Sequence, residues 1–149
     1  MKNLLHKETA DEVLMRIGRV TADTKPLWGK MNAGQMMAHC QVPVRVSFGE
    51  AKLSGRFFGI LLGPWIKRVI LSDKPFKKGL PTHKSFLVTD ERNFEIEQGR
   101  LKECVQRFYD YGKEKIGKFP HPFFGKMTPD EWGTSMYKHL DHHLKQFGV

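Results

Sequence analysis

Toward the end of the chain the sequence reads Met136-Tyr137-Lys138-His139-Leu140-Asp141-His142-His143-Leu144, with His139 and His143 at positions i and i+4. On a helix that spacing puts both imidazoles on one face, one turn apart, where they can share a metal ion. A third histidine, His39, lies in the helical pattern Gln35-Met36-Met37-Ala38-His39-Cys40. Brought beside the pair by a second helix, it would complete a three-nitrogen site with open coordination positions. Such a site belongs to a metal that binds substrate, rather than one that only holds a fold together. Neutral imidazole suits zinc, nickel and iron alike. The competing reading is that the three histidines are packed or surface groups sharing no ligand, the commoner outcome for any one histidine on an apolar helix face.

His142 is adjacent to His143 and points about 100° around the helix from it. It is therefore expected at the surface or behind the ligands, and Asp141 faces away from the pair for the same reason. His142 with His139 is a competing pair at i, i+3, but it leaves His143 without a role. Other signatures fail. Neither His-Glu-x-x-His nor Glu-x-x-His occurs, which argues against a zinc protease or a di-iron carboxylate bundle. The stretch Gly112-Lys113-Glu114-Lys115-Ile116-Gly117-Lys118-Phe119 nearly matches a phosphate-binding loop, but it ends in Phe where Ser or Thr must hold magnesium, and it closes a helix instead of following a strand. No Gly-x-Ser-x-Gly or dinucleotide fingerprint is present. No residue stands out as a general base, so the catalytic residues are left unassigned.

The elements that must position these groups are helical. A first helix is expected from Thr9, with Thr9 as cap and Glu12 reaching back, followed by Val13, Ile17 and Val20 at helical spacing and ended by Lys25-Pro26. A second begins at Asn32-Ala33-Gly34-Gln35, Asn32 and Gln35 forming a reciprocal capping pair, and Pro43 should kink it. Residues 49 to 88 are less regular: Phe57 to Leu71 reads as one or two short helices broken at Gly63-Pro64, and Asp73 to Thr82 as a basic Pro/Gly loop. Thr89-Asp90 caps a third helix carrying Phe94, Leu101, Val105, Phe108 and Tyr109 and ending near Gly117. Phe119 to Met127 cannot be helical at its prolines. Thr128-Pro129-Asp130-Glu131 opens the last helix with a cap, a proline at the first position and a glutamate at the third. Trp132, Met136, His139, Leu140, His143 and Phe147 follow at spacings of three and four, and Gly148 ends it. With no strand of consequence, four apolar-striped helices make an all-α bundle the expected architecture.

Composition bounds the rest. The 149 residues are read as one domain with a proper core, and the 40% hydrophobic content, with 11 Phe and 3 Trp, argues against disorder. Lysine and arginine outnumber acids 25 to 16, a net +9 that favours anionic partners. The basic residues form no block, so a solvated basic surface is the default. Lys74, Lys77, Lys78 and Lys84 could receive an anionic substrate. Phe76 alone is interleaved with them before Phe86, too few aromatics for a nucleic-acid stacking platform. Cys40 and Cys104 make neither a disulfide framework nor a Cys-x-x-Cys and are expected as buried free thiols in a reducing cytosol. The first residues lack the apolar stretch of a signal peptide. Phe57 to Leu71 is shorter than the roughly twenty apolar residues a membrane span needs, and Lys67-Arg68 interrupts it. A soluble cytoplasmic protein is expected. Gly59-x-x-x-Gly63 reads as incidental packing, and a homodimer would suit an apolar bundle of this size.

Two segments carry a resemblance. Trp28-Gly29-Lys30-Met31-Asn32-Ala33-Gly34-Gln35-Met36-Met37-Ala38-His39-Cys40 resembles the second-helix signature of the DinB-like superfamily. His121 to Gly133, running into Tyr137 to Leu144, resembles the closing segment of one branch, the DUF1569 family of bacterial proteins. The resemblance implies a four-helix bundle of up-down-down-up course, with a long, partly helical crossover between the second and third helices. It also implies a divalent ion held by one histidine of the second helix and a His-x-x-x-His pair of the fourth, here His39, His139 and His143. Superfamily relatives with assigned activities include thiol-dependent S-transferases and some hydrolases, whereas others have lost the ligands. The expectation is accordingly a metal-dependent enzyme activating a low-molecular-weight thiol or water. A non-enzymatic, stress-associated or oligomeric bundle without metal is the alternative.

Overall fold

The computed structural model describes residues 2–50, 67–72, 74–79 and 84–149. Those residues include four α-helices, α1 (Lys7–Arg19), α2 (Ala33–Ser47), α3 (Phe94–Lys115) and α4 (Pro129–Gln146), with a further α-helical turn at 67–70 and a 3-10 turn at Lys84–Phe86. No strand occurs among them, and His121 and Gly125 form an isolated bridge. The expected break at Gly63-Pro64 and the Gly59-x-x-x-Gly63 contact lie outside the described residues.

Local chemistry explains most helix ends. Asn32 accepts from the Gln35 amide while the Gln35 side chain accepts from the Asn32 amide. Thr128 and Glu131 make the same reciprocal pair at the start of α4, with Pro129 in the first turn. Both boxes satisfy backbone donors that a helix start otherwise leaves open. The first helix departs from expectation. It begins at Lys7 with His6 at its cap and no side-chain capping bond, and Thr9 is buried inside the first turn. Glu12 pairs with Lys2 and Arg16 instead of reaching back. The cause is tertiary: the Leu4 amide donates to the Gly133 carbonyl at 3.1 Å and Asn3 bonds Asp130, so docking on α4 sets where α1 starts.

The third helix is also shifted. Asn93, not Thr89-Asp90, caps it by accepting from the Ile96 amide at 2.9 Å. Its last turn is broken at Gly112, whose φ of 56° glycine adopts without a Cβ clash, and it closes at Lys115, just short of Gly117. Helix α2 continues through Pro43 to Ser47. Pro43 has no N–H, so the carbonyl of His39, four residues back, loses its helical donor.

Each of α1 and α2 packs against both α3 and α4, most extensively α2 on α3. All four contribute to one core, including Val13 and Ile17, Met36, Met37 and Val44, Leu101 and Phe108, and Trp132, Leu140 and Leu144. Polar ties cross it at the edges. Arg16 of α1 donates to Asp141 of α4 at 2.9 Å, and Gln98 of α3 caps the Ile17 and Val20 carbonyls at 2.9 and 3.0 Å. The chain between α2 and α3 is held to α4 by Lys138, whose ammonium donates to the Ile70 and Ser72 carbonyls at 2.5 and 2.6 Å.

Thr128→Ala removes one half of the box that starts α4. It should lower unfolding free energy by about 1 kcal/mol, read as a lower urea midpoint at unchanged m-value. An unchanged midpoint would mean that packing alone, not the cap, sets the start of α4.

Candidate metal centre

His39 lies near the middle of α2, and α4 presents His139 and His143 on the turn facing it. The Nε2 atom of His39 lies 3.1 Å from Nε2 of His139 and 3.0 Å from Nε2 of His143. The three rings offer nitrogens that all fall within 4.8 Å of one another, a group that could hold a metal ion. His39 and His143 are buried, and His139 keeps intermediate exposure.

The partners of the outer ring nitrogens decide which inner nitrogens carry lone pairs. His39 Nδ1 lies 2.7 Å from the Phe86 carbonyl oxygen. A carbonyl only accepts, so Nδ1 carries the proton and, in the neutral ring, Nε2 is bare. His143 Nδ1 lies 2.8 Å from Gln146 Oε1, while Gln146 Nε2 donates to the Trp28 carbonyl at 2.6 Å. That second bond fixes the amide orientation, so the Gln146 oxygen accepts and His143 Nε2 is bare as well. Two lone pairs therefore face each other across 3.0 Å. His139 differs: its Nδ1 is buried with no hydrogen-bond partner among the described residues.

The surroundings keep these rings neutral. Burial lowers the pKa of His39 below the ordinary histidine value, against a smaller opposing effect of the Phe86 carbonyl. Burial, then its neighbours His143, His39 and His142, holds His139 well below that value. Burial first and His39 second bring His143 to about 3. Neutral imidazole is the form that ligates, and histidine ligands commonly donate the other ring N–H to a carbonyl or carboxylate. His39 and His143 have that outer bond, and in this respect the donor set fits a divalent ion.

The residues expected outside the centre are outside it. Asp141 is engaged by Arg16 and by Lys145, both through its carboxylate. His142 is half-buried beside the centre, its ring 5.1 Å from that of His143, 5.8 Å from Trp28 and 6.0 Å from Phe76. A further buried histidine, His121, serves the turn before α4: its Nδ1 accepts from the Phe123 and Phe124 amides at 3.1 and 3.3 Å. Cys40 is buried and Cys104 half-buried, both as free thiols.

A family model brings these observations together. The DUF1569 family, described as a protein of unknown function, matches residues 1–148. The chain belongs to this family. No curated protein and no solved structure matches it. In this DUF1569 protein two groups at the centre had no sequence signal strong enough to single them out. Gln146 stands three residues after His143, a helical neighbour visible only once His143 is chosen. The Phe86 carbonyl belongs to a backbone any residue type would supply. No helix among the described residues is long and apolar enough to cross a membrane.

The neutral rings set the acid response of the metal-free protein. An unfolded histidine protonates near pH 6.5, whereas folded His143 resists protonation down to about 3. Between those values the unfolded chain binds protons that the folded chain does not, so stability is full at neutral pH and falls as pH drops through the window. Urea unfolding of chelator-treated protein from pH 7.5 to 5 should show this fall, and His143→Leu should flatten its slope whatever the variant's absolute stability. An identical slope would mean that His143 titrates normally in the folded state.

Proposed function

We propose that this DUF1569 protein binds one divalent metal ion, zinc, nickel or iron, through His39, His139 and His143, and uses it to activate a thiol or water. The proposal includes a single DinB-like domain, a four-helix bundle of up-down-down-up course working in the cytoplasm. The packing of α1 and α2 on both α3 and α4, and the long connection between α2 and α3, support that architecture. The single observation that carries the metal reading is the convergence of the His39 and His143 Nε2 lone pairs at 3.0 Å. A bound cation would relieve their repulsion and lower the pKa of a bound thiol or water, so that thiolate or hydroxide forms near neutral pH.

The chain's own groups would hold and surround the reactants. His39 and His143 keep their Nδ1 protons on fixed acceptors, so the ligand faces stay aimed at one point. Beyond His143 the rings of His142 and Trp28 lead outward to Lys78, whose ammonium lies 4.3 Å from the Trp28 ring centroid. With Lys74, Lys77 and Lys84 on the same connection, Lys78 supports an anionic substrate such as a low-molecular-weight thiol.

The alternative is a helical bundle that carries no metal and performs no reaction. Elemental analysis of untagged protein separates the two readings. The metal reading expects about one divalent ion per chain, its loss in His143→Ala, and a higher melting temperature for wild type with added zinc, nickel or cobalt. Stoichiometric metal in His143→Ala, or none in wild type after exposure to all three ions, would overturn it.

A further inference from the structure

Gln146 is held from both sides of its residue by one turn. Its side chain bonds His143 Nδ1 and the Trp28 carbonyl, and its own backbone carbonyl accepts from the Leu27 amide at 2.7 Å. It is only 4% exposed, so neither end of the amide exchanges freely with water. The turn is shaped to admit it. Gly29 has a φ of +85°, and a Cβ at that position would lie 2.5 Å from Gln146 Nε2. A side chain at 29 would therefore be strained by its own backbone and would displace the amide that orients His143.

We propose that Gln146 is a positioning residue for the metal centre, a reading that rests on the three-histidine site proposed above. Its oxygen holds His143 as the Nδ1–H tautomer and presents Nε2 to the ion. Its NH2 group, anchored on Trp28, prevents the amide from flipping and offering a donor to a ring that needs an acceptor. His139 has no such outer partner among the described residues, whereas these residues fix the tautomer of His143. The choice of an amide also has a chemical consequence. A carboxylate at this position would draw the Nδ1 proton, make the imidazole a stronger donor and reduce the Lewis acidity left to the ion. The neutral amide orients the ring without that cost, which suits an ion that must acidify a bound thiol or water.

The test is cobalt(II) affinity, by competition with a chromophoric chelator, for untagged full-length wild type, Gln146→Ala, Gln146→Glu and Gly29→Ala. Gln146→Ala should bind roughly 10–100-fold more weakly, the usual effect of losing an outer partner of a ligand. Gly29→Ala, which touches neither ligand, should weaken binding in the same direction. Gln146→Glu should bind more tightly than Gln146→Ala, and the pH midpoint of its cobalt visible spectrum should lie above that of wild type. A merely structural role for Gln146 would lower melting temperature but leave affinity and spectrum unchanged. Wild-type affinity within two-fold in Gln146→Ala, or in Gly29→Ala should Gln146→Ala not fold, overturns the inference while the three-histidine site stands. Folded wild type that binds no cobalt overturns both.

Discussion

Two bare imidazole nitrogens, on His39 and His143, face each other at 3.0 Å in a buried part of the molecule, and the rest of the centre follows from how they are kept there. Such a contact is repulsive unless a positive charge, or an N–H donated by a neighbour such as His139, 3.1 Å from His39, lies against the lone pairs. A proton on either ring would serve, but burial holds both below the ordinary histidine range. Each ring's other nitrogen is already committed as a donor, to Phe86 or to Gln146, so exchanging tautomers would break a bond in the interior. Donor alignment, neutrality and burial thus belong to a single constraint on the two rings.

The acceptors that enforce this constraint come from outside the helical backbone, for a physical reason. A carbonyl within a helix already accepts from an amide four residues on, and it lies under the side chains of its own helix. An acceptor for a buried histidine must come from an irregular segment or a side chain. Here Phe86 lies at the end of a short 3-10 turn and Trp28 in the turn before α2, with Gln146 conveying the second to α4. Irregular stretches flanking α2 in sequence therefore orient imidazoles on both α2 and α4. Lys138 adds a further tie, placing a buried ammonium on two carbonyls of the connection, one residue from His139.

The basic character of the chain is less directed than its net charge suggests. Much of it is engaged locally: Arg16 with Asp141, Lys67 with Glu131, Arg107 with Glu50 and Lys113 with Asp130. The more exposed of these pairs contribute little stability each, and all of them disperse the field that would steer a polyanion. Lys78, over the Trp28 ring near His142, is a cation whose position relates to the centre.

The helix-forming information was largely local and so was legible in the sequence. The Asn32–Gln35 and Thr128–Glu131 boxes depend on side chains within one turn, and both formed as expected. The i, i+4 spacing put His139 and His143 on one face for the same reason. Where a helix end depends on another element, sequence reasoning failed: Thr9 lost the cap of α1 because Asn3 and Leu4 dock on α4. The start of α3 moved to Asn93, a local cap that the Thr89-Asp90 reading passed over. His39 could be matched to the pair by its resemblance to DinB-like proteins, but only the packing of α2 beside α4 brings its Nε2 within 3.1 Å of both. Tertiary structure alone decided the tautomers, because a ring's protonated nitrogen is set by the acceptor it meets. For His39 and His143 those acceptors are a backbone carbonyl from another segment and an amide whose orientation depends on Trp28. Residue types and spacing record neither of these relations.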